Sequence, residues 1–402
     1  MVLELLRIKN YKIYILNMVF LGIAVAITAP YMVIYMTEYH DMTVTGFGLF
    51  MGAGAVGSFL VNTIVGRFSD KLPFDRKYLM LIALIMEAIS FSLFLVIKAT
   101  WLIVVGFILF YSLGAPAMPQ LYASSRESVN ATKNRKSNFK TFANTLLRSM
   151  FSFGFLFGPL IGSVLLLKYD FTGLFIGTVI MFLTVFVTTL FIKPPKKELE
   201  VIPAHMLEES EAPKLLKNKI IFVPFLAFVF LQMGQWMYLL NMPLYVTRVL
   251  GEGNEKVGLL SSICAGLEVP LMIFVGLIAS KYETKYLLMV AGIIGATFFI
   301  SVGLFNNFIV ILVGQILLAS FLAILLGLGI SFFQDLLPKF PGYASTLYAN
   351  GMIIGQLIGN LMGGIIADNL SVQYSFMASG MMLIVAVILF GFLKNEPKAG
   401  VA

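Results

Sequence analysis

Long uncharged runs govern what this chain can become. IYILNMVFLGIAVAITAP, from Ile13, and FIVILVGQILLASFLAILLGLGI, from Phe308, carry no charge over lengths that no strand or core helix of a soluble domain needs. A helix crossing the hydrocarbon layer of roughly 30 Å needs about 20 such residues, each rising about 1.5 Å. In lipid every backbone N–H and C=O must be satisfied inside the segment, which leaves helices and closed barrels. The runs are continuous rather than alternating, so barrel strands are excluded. Only 12% of the residues are charged, against about 25% in soluble domains. The expected fold class is an all-α polytopic membrane protein.

Hydropathy places twelve spans, near 12–37, 44–66, 77–97, 101–124, 140–167, 172–192, 220–247, 256–280, 285–305, 308–335, 342–367 and 371–393. The N-terminal apolar run is too long for a cleaved leader and reads as a retained first span. Residues 193–219, KPPKKELEVIPAHMLEESEAPKLLKNK, are charged, Pro-bearing and poor in aromatics, as a solvated linker should be. The expected division is a six-helix bundle over 1–192, a linker over 193–219 and a second six-helix bundle over 220–402. With both termini inside, twenty-three of the 28 Lys and Arg residues fall on the cytoplasmic side and four outside; Arg148 remains within span 5. The net charge of +8 is therefore a topology signal and does not point to nucleic acid. The expected location is the plasma membrane, multi-pass, with a monomer in the bilayer. The one cysteine, Cys264, lies inside a span, and His40 and His205 lie in polar loops. No disulfide framework, metal set or phosphate loop can be assembled, so no cofactor is expected. No nucleophile–base–orienter set points to an enzyme either.

Three ionisable residues interrupt the spans. Glu268 sits between Lys256 and Lys281 with no other charge near it in sequence. A carboxylate at that depth costs at least ~2.5 kcal/mol on insertion scales and must face a cavity, a partner or a proton. Arg148, eight residues into span 5 from Lys140, is a counter-charge if it does not snorkel to the interface. Glu87 in span 3 is the weaker proton-coupling candidate, equally compatible with a buried pair. Span 5 repeats glycine at Gly154, Gly158 and Gly162; span 11 does so at Gly351, Gly355, Gly359 and Gly363. Glycine every fourth residue gives one smooth helix face on which a neighbour's backbone can lie. The segments GRFSDKLPFDRKYLML (66–81) and GLIASKYETKYLLMV (276–290) also echo each other. Two similar halves are the plan of carriers that rock about a central site.

The segment 66–77, GRFSDKLPFDRK, resembles the loop 2–3 motif of the major facilitator superfamily at Gly66, Asp70, Lys71, Arg76 and Lys77, with Asp75 where glycine is usual. GFLFGPLIGS (154–163) is similar to that superfamily's span 5 antiporter motif, with Ser163 replacing its last glycine. The mid-membrane arginine usual in span 4 is absent. AMPQLYASSRE, MYLLNMPLYV, AGLEVPLMI and GISFFQDLLPKFPGYASTLYANG resemble the sugar efflux transporter family. The resemblance implies alternating access, spans 1, 4, 7 and 10 around a midplane cavity, and spans 5 and 8 side by side. It also implies a gate built from Gly66, Asp70, Arg76, Arg126, Gly154, Gly158 and Pro159. Glu268, with Arg148 or Glu87, would then couple transport to protons.

Selectivity must come from uncharged polar groups, and carboxamides offer donor and acceptor together. Span 7 is rich in them: Gln232, Gln235 and Trp236 share a face, Tyr238 and Asn241 follow, and Pro243 should bend the far end. Asn17, Tyr31, Gln120, Gln334, Asn350, Gln356 and Asn360 form a second tier, Gln120 beside the Pro116/Pro119 distortion. The expected function is proton-coupled efflux of a sugar or glycoside across the bilayer. A proton-coupled drug exporter is the alternative in the same class, and a transporter-like sensor lies outside it.

Overall fold

A computed structural model describes residues 2–68, 75–130, 137–193, 215, 218–279, 282–337 and 341–392. Among them, eleven helical stretches are long and apolar enough to cross a membrane. One of these, Ser137–Leu190, is 54 residues long and leaves helical geometry at Asp170 (φ 56°, ψ −166°), so it supplies two spans. The expected twelve are therefore present. They are α1 (Tyr11–Thr28, continued by Met32–Glu38), α2 (Val44–Phe68), α3 (Arg76–Val96) and α4 (Thr100–Gly114, continued by Ala117–Asn130). The two parts of Ser137–Leu190 are α5 and α6. There follow α7 (Lys219–Leu244), α8 (Asn254–Ala279), α9 (Thr284–Leu304), α10 (Phe308–Leu336), α11 (Pro341–Asn369) and α12 (Val372–Gly391).

Proline accounts for the main irregularities. Pro30 and Pro116 have no N–H to give the preceding turn, and α1 and α4 break there. Beyond Pro243 the backbone of α7 widens into a π turn, Tyr245–Val249, as the bend expected at that end.

The chain forms two compact units: Met1–Val201 with Val246–Val269, and Ile202–Tyr245 with Pro270–Ala402. The packing thus differs from a division at the linker alone. Residues 246–269 join the first unit because Arg248 reaches Thr37 and Glu38 of α1, and Gly258 lies on α5. A Cβ at Gly258 would stand 2.6 Å from the Pro159 carbonyl oxygen.

In the first unit α1 lies on the glycine stripe of α5. A Cβ on Gly154 would strike the Val19 carbonyl, one on Gly158 the Ala26 side chain, and one on Gly162 the Ile27 carbonyl. A core of Tyr11, Tyr14, Met18, Met80, Leu121 and Leu147 fills one end of this unit. The rings of Tyr35, Phe94, Phe107 and Phe175 fill the other, mostly edge to face, with Phe94 and Phe175 stacked. In the second unit α7 lies on the stripe of α11 in the same way: a Cβ on Gly359 would stand 2.6 Å from the Met233 carbonyl oxygen. Its aromatic core gathers Phe298, Phe299 and Phe376 around Tyr238.

Candidate functional site

The second unit holds the polar face of α7. Asn218 starts this helix by accepting a hydrogen bond from the Ile220 N–H at 3.0 Å. Close approach to α11 then sinks the middle turns: Gln232 is 0% exposed and Gln235 7%. Gln232 presses its Cβ against Gly355. Its Oε1 and Nε2, Gln235 Oε1 and Trp236 Nε1 are enclosed with no hydrogen-bond partner among the described residues. An unmade hydrogen bond at a buried amide atom costs about 1–3 kcal/mol. Three neighbouring side chains in that condition on one helix face form a set of vacant donors and acceptors, suited to a ligand that both gives and takes hydrogen bonds.

Other expected contact residues are occupied by their own neighbours. Tyr238 stands inside the aromatic core, and its hydroxyl accepts from Gln315 Nε2 at 3.3 Å. Asn241 donates to the Met237 and Gly363 carbonyls at 3.0 and 3.2 Å, leaving only Oδ1 unpartnered. Asn17 donates to Thr189 Oγ1 at 2.9 Å and accepts from Thr188, which ties α1 to α6. The Tyr31 hydroxyl donates to the Pro159 carbonyl at 2.9 Å. Gln120 gives its carbonyl oxygen to Arg76 at 3.1 Å. For these five the sequence showed polarity inside a span but could not show that a partner waited on another helix. Asn360 is buried, Asn350 and Gln356 are half-buried, and Gln334 is exposed near the end of α10.

The first unit holds the charges. Glu268, two residues before Pro270 in α8, is half-buried. Arg148 of α5 lies within electrostatic reach of it but forms no ion pair with it, and is exposed. The expected counter-charge thus acts through space. Glu87 lies apart, sealed between α3 and α4.

Of the expected gate, Asp70 and Lys71 lie outside the described residues. Gly66 is in the last turn of α2, and Arg126 is exposed on α4. Arg76, at the start of α3, pairs through Nε with Glu127 Oε1 at 2.6 Å while also holding Gln120. Sequence reading passed over Glu127, whose spacing from Arg126 gave no sign of a partner on another helix. It also passed over Ser58 and Asn62 on α2, one turn apart, whose oxygens are enclosed without partners among the described residues. At the other end of the spans, Arg248 donates to Thr37 and lies 3.8 Å from Glu38.

Helices of membrane-crossing length, glycine-seated interfaces and enclosed polar groups describe a polytopic helical membrane protein. The family model of the Major Facilitator Superfamily matches residues 14–308 and 225–402, and the chain belongs to that family. It is a multi-pass membrane protein and a secondary transporter of a small molecule, not an enzyme. It is 28% identical over 367 residues to sugar efflux transporter A of Dickeya chrysanthemi, covering 91% of each chain. It is also 28% identical over 377 residues to sugar efflux transporter C of Escherichia coli (strain K12), covering 93% of each. In fold it is similar to the crystal structure of the nucleoside transporter NupG (D323A mutant), with a TM-score of 0.79 at 12% identity, over 96% of this chain and 100% of that one.

Proposed function

We propose that this transporter exports sugars or glycosides in exchange for protons, by alternating access across the plasma membrane with both termini in the cytoplasm. The observation that carries the solute class is Gln232, fully buried with both amide atoms unpartnered beside Gln235 and Trp236. Pyranose hydroxyls donate and accept, as the vacant groups require, while an indole ring offers a face to the sugar's C–H groups. The similarity to proteins named sugar efflux transporters supports the same class. That similarity supports export, and the Lys and Arg asymmetry supports the orientation. Asn17, Tyr31, Tyr238, Asn241 and Gln120 are assigned here to structure. Asn350, Gln356 and Asn360 of α11, and Gln334 of α10, remain as outer contacts.

Glu268 is the proposed coupling acid. A carboxyl with a cation in reach but no ion pair can be neutral in one state and charged in another, as exposure and the distance to Arg148 change. Gly66, Asp70, Arg76 and Arg126 form the proposed gate on the linker side, and Gly154, Gly158 and Pro159 the surface against which α1 and α8 settle. Purified protein in proteoliposomes tests the reading. A sugar panel scored by thermal shift should give hits, and labelled counterflow of the hits should follow. Glu268→Gln should stop proton-driven accumulation yet leave downhill exchange. Uphill transport at the normal rate by that variant would remove Glu268 from the coupling step.

A further inference from the structure

Glu87, the weaker proton-coupling candidate of the sequence, has no part in the function proposed above. It lies midway along α3, is 8% exposed, and its Oε2 is enclosed with no hydrogen-bond partner among the described residues. The carboxyl rests in a notch on α4 made by Gly114. A Cβ at that position would stand 2.5 Å from Glu87 Cγ, 2.7 Å from Cδ and 2.9 Å from Oε1. Gly114 is the last residue before α4 breaks at Ala115–Pro116. The helices packed on α3 are α4 and the α5–α6 pair. Tyr111 of α4 feels Glu87, and among the described residues of these helices no charged side chain acts on the carboxyl. The nearby Ser90 hydroxyl is spent on Glu87's own backbone carbonyl at 2.7 Å.

A carboxylate in this notch would have neither a counter-charge nor a donor for Oε2 among the described residues. Isolated buried ions of that kind are far costlier than the neutral acid. A purely structural role is equally poorly served, because a carboxyl whose Oε2 bonds to nothing packs no better than an aliphatic side chain. We propose that Glu87 is a proton-binding site separate from the solute site, neutral while α4 rests against α3 and able to release its proton only when α4 moves at the Gly114–Pro116 break and admits water. The site goes beyond coupling through Glu268 and does not depend on it.

Such a site has a chemical signature. The O–H of a neutral carboxyl adds across the N=C=N of a hydrophobic carbodiimide: the proton goes to one nitrogen and the carboxyl oxygen bonds the central carbon. Where water is excluded the acyl group then moves to the neighbouring nitrogen, giving a stable N-acylurea with no leaving group and no change of oxidation state. The full-length protein in lipid nanodiscs should be treated with dicyclohexylcarbodiimide and its peptides mapped by mass spectrometry. An adduct on Glu87 is expected at about pH 6, forming several-fold more slowly at about pH 9, above the ordinary carboxyl range. A water-soluble carbodiimide with an added amine should leave Glu87 unmodified, and a transported sugar should not protect it. The melting temperature of the wild type should fall between the same two pH values by more than that of Glu87→Gln, which has no charge to gain. Absence of the dicyclohexyl adduct at Glu87, equal labelling by the water-soluble reagent, or the same pH response in Glu87→Gln would each overturn the proposal. Uphill transport by Glu268→Gln with Glu87 still labelled would remove the coupling assignment of Glu268 and leave this one standing.

Discussion

Two interfaces in this protein are built alike and furnished differently. α1 lies on α5, and α7 lies on α11, each through glycines four residues apart that let one backbone settle on another. Along α1 the buried polar side chains are paired: Tyr11 with the Ala143 carbonyl at 2.7 Å, Tyr14 with Ser124 at 2.8 Å, Asn17 with Thr188 and Thr189, and Tyr31 with the Pro159 carbonyl. Along α7, Gln232, Gln235 and Trp236 keep buried atoms with no partner among the described residues. A satisfied polar group adds about 1 kcal/mol of stability, whereas an unsatisfied one subtracts about as much or more. The same residue types therefore serve structure on α1 and stand vacant on α7, at some cost in stability. Vacancy is what a binding surface needs before its ligand arrives.

The largest effects should come from the feature the interfaces share. Gly154→Val and Gly359→Val each place branched carbon against a neighbouring backbone that cannot yield as a side chain would. Overpacking costs about 1–3 kcal/mol in soluble cores and more against backbone. Both variants should lose most of their monodisperse yield on size exclusion. Loss in one variant alone would show that the two interfaces are not equivalent.

The next pair probes the difference. Asn17→Leu takes the amide from Thr189 Oγ1, while Thr188 keeps the Thr184 and Val185 carbonyls, so it should cost about 1–3 kcal/mol and lower the melting temperature while solute affinity holds. Gln232→Leu removes two unpaired atoms, so it should melt higher and bind solute more weakly. Matching signs in the two would break the comparison. Gln235→Ala sharpens it: solute affinity should fall by ~1–3 kcal/mol in a titration, with the melting temperature little changed.

Two smaller effects lie at the ends of the spans. Arg248→Ala removes an exposed pair with Glu38, and exposed pairs of this kind contribute about 0–1 kcal/mol. Its melting temperature should shift least among these variants, and a large drop would mean that the Arg248 contacts hold residues 246–269 in place. His40, in the turn after α1, bonds Thr100 Oγ1 at 3.0 Å and the Tyr35 hydroxyl at 3.2 Å. Burial holds its imidazole below the ordinary value of about 6.5, with Asp41 opposing. The folded state then prefers neutral His40 more than the unfolded state does, so this contribution is present above about pH 6.5 and is lost as pH falls through the lowered value. His40→Gln should reduce the loss of melting temperature between about pH 7 and pH 5. An unchanged acid limb would assign that loss elsewhere.

Much of the architecture was legible from residue order because lipid imposes its demands on contiguous residues. A span must satisfy its own backbone, so the twelve apolar runs, the distortions at Pro116 and Pro243, and the stripes of α5 and α11 all followed from neighbours in sequence, whereas the break at Pro30 was not foreseen. The split of Ser137–Leu190 at Asp170 was legible too, since polar and aromatic residues cluster where two runs meet. The identities of the paired and vacant groups were not. Asn17 and Gln232 are both amides inside apolar helices, and only the arrival of Thr188 and Thr189 beside one of them separates their roles. Tyr238 read as a contact residue until three phenylalanines from α9 and α12 closed round it. Glu87 read as the weaker proton-coupling candidate, equally fit for a buried pair, and only Gly114 on α4 supplied the notch that encloses it. Which helices cross was determined locally, residue by residue. Which polar atoms find partners was decided only by tertiary structure, because a hydrogen bond between helices depends on a neighbour brought close by packing and not by the chain.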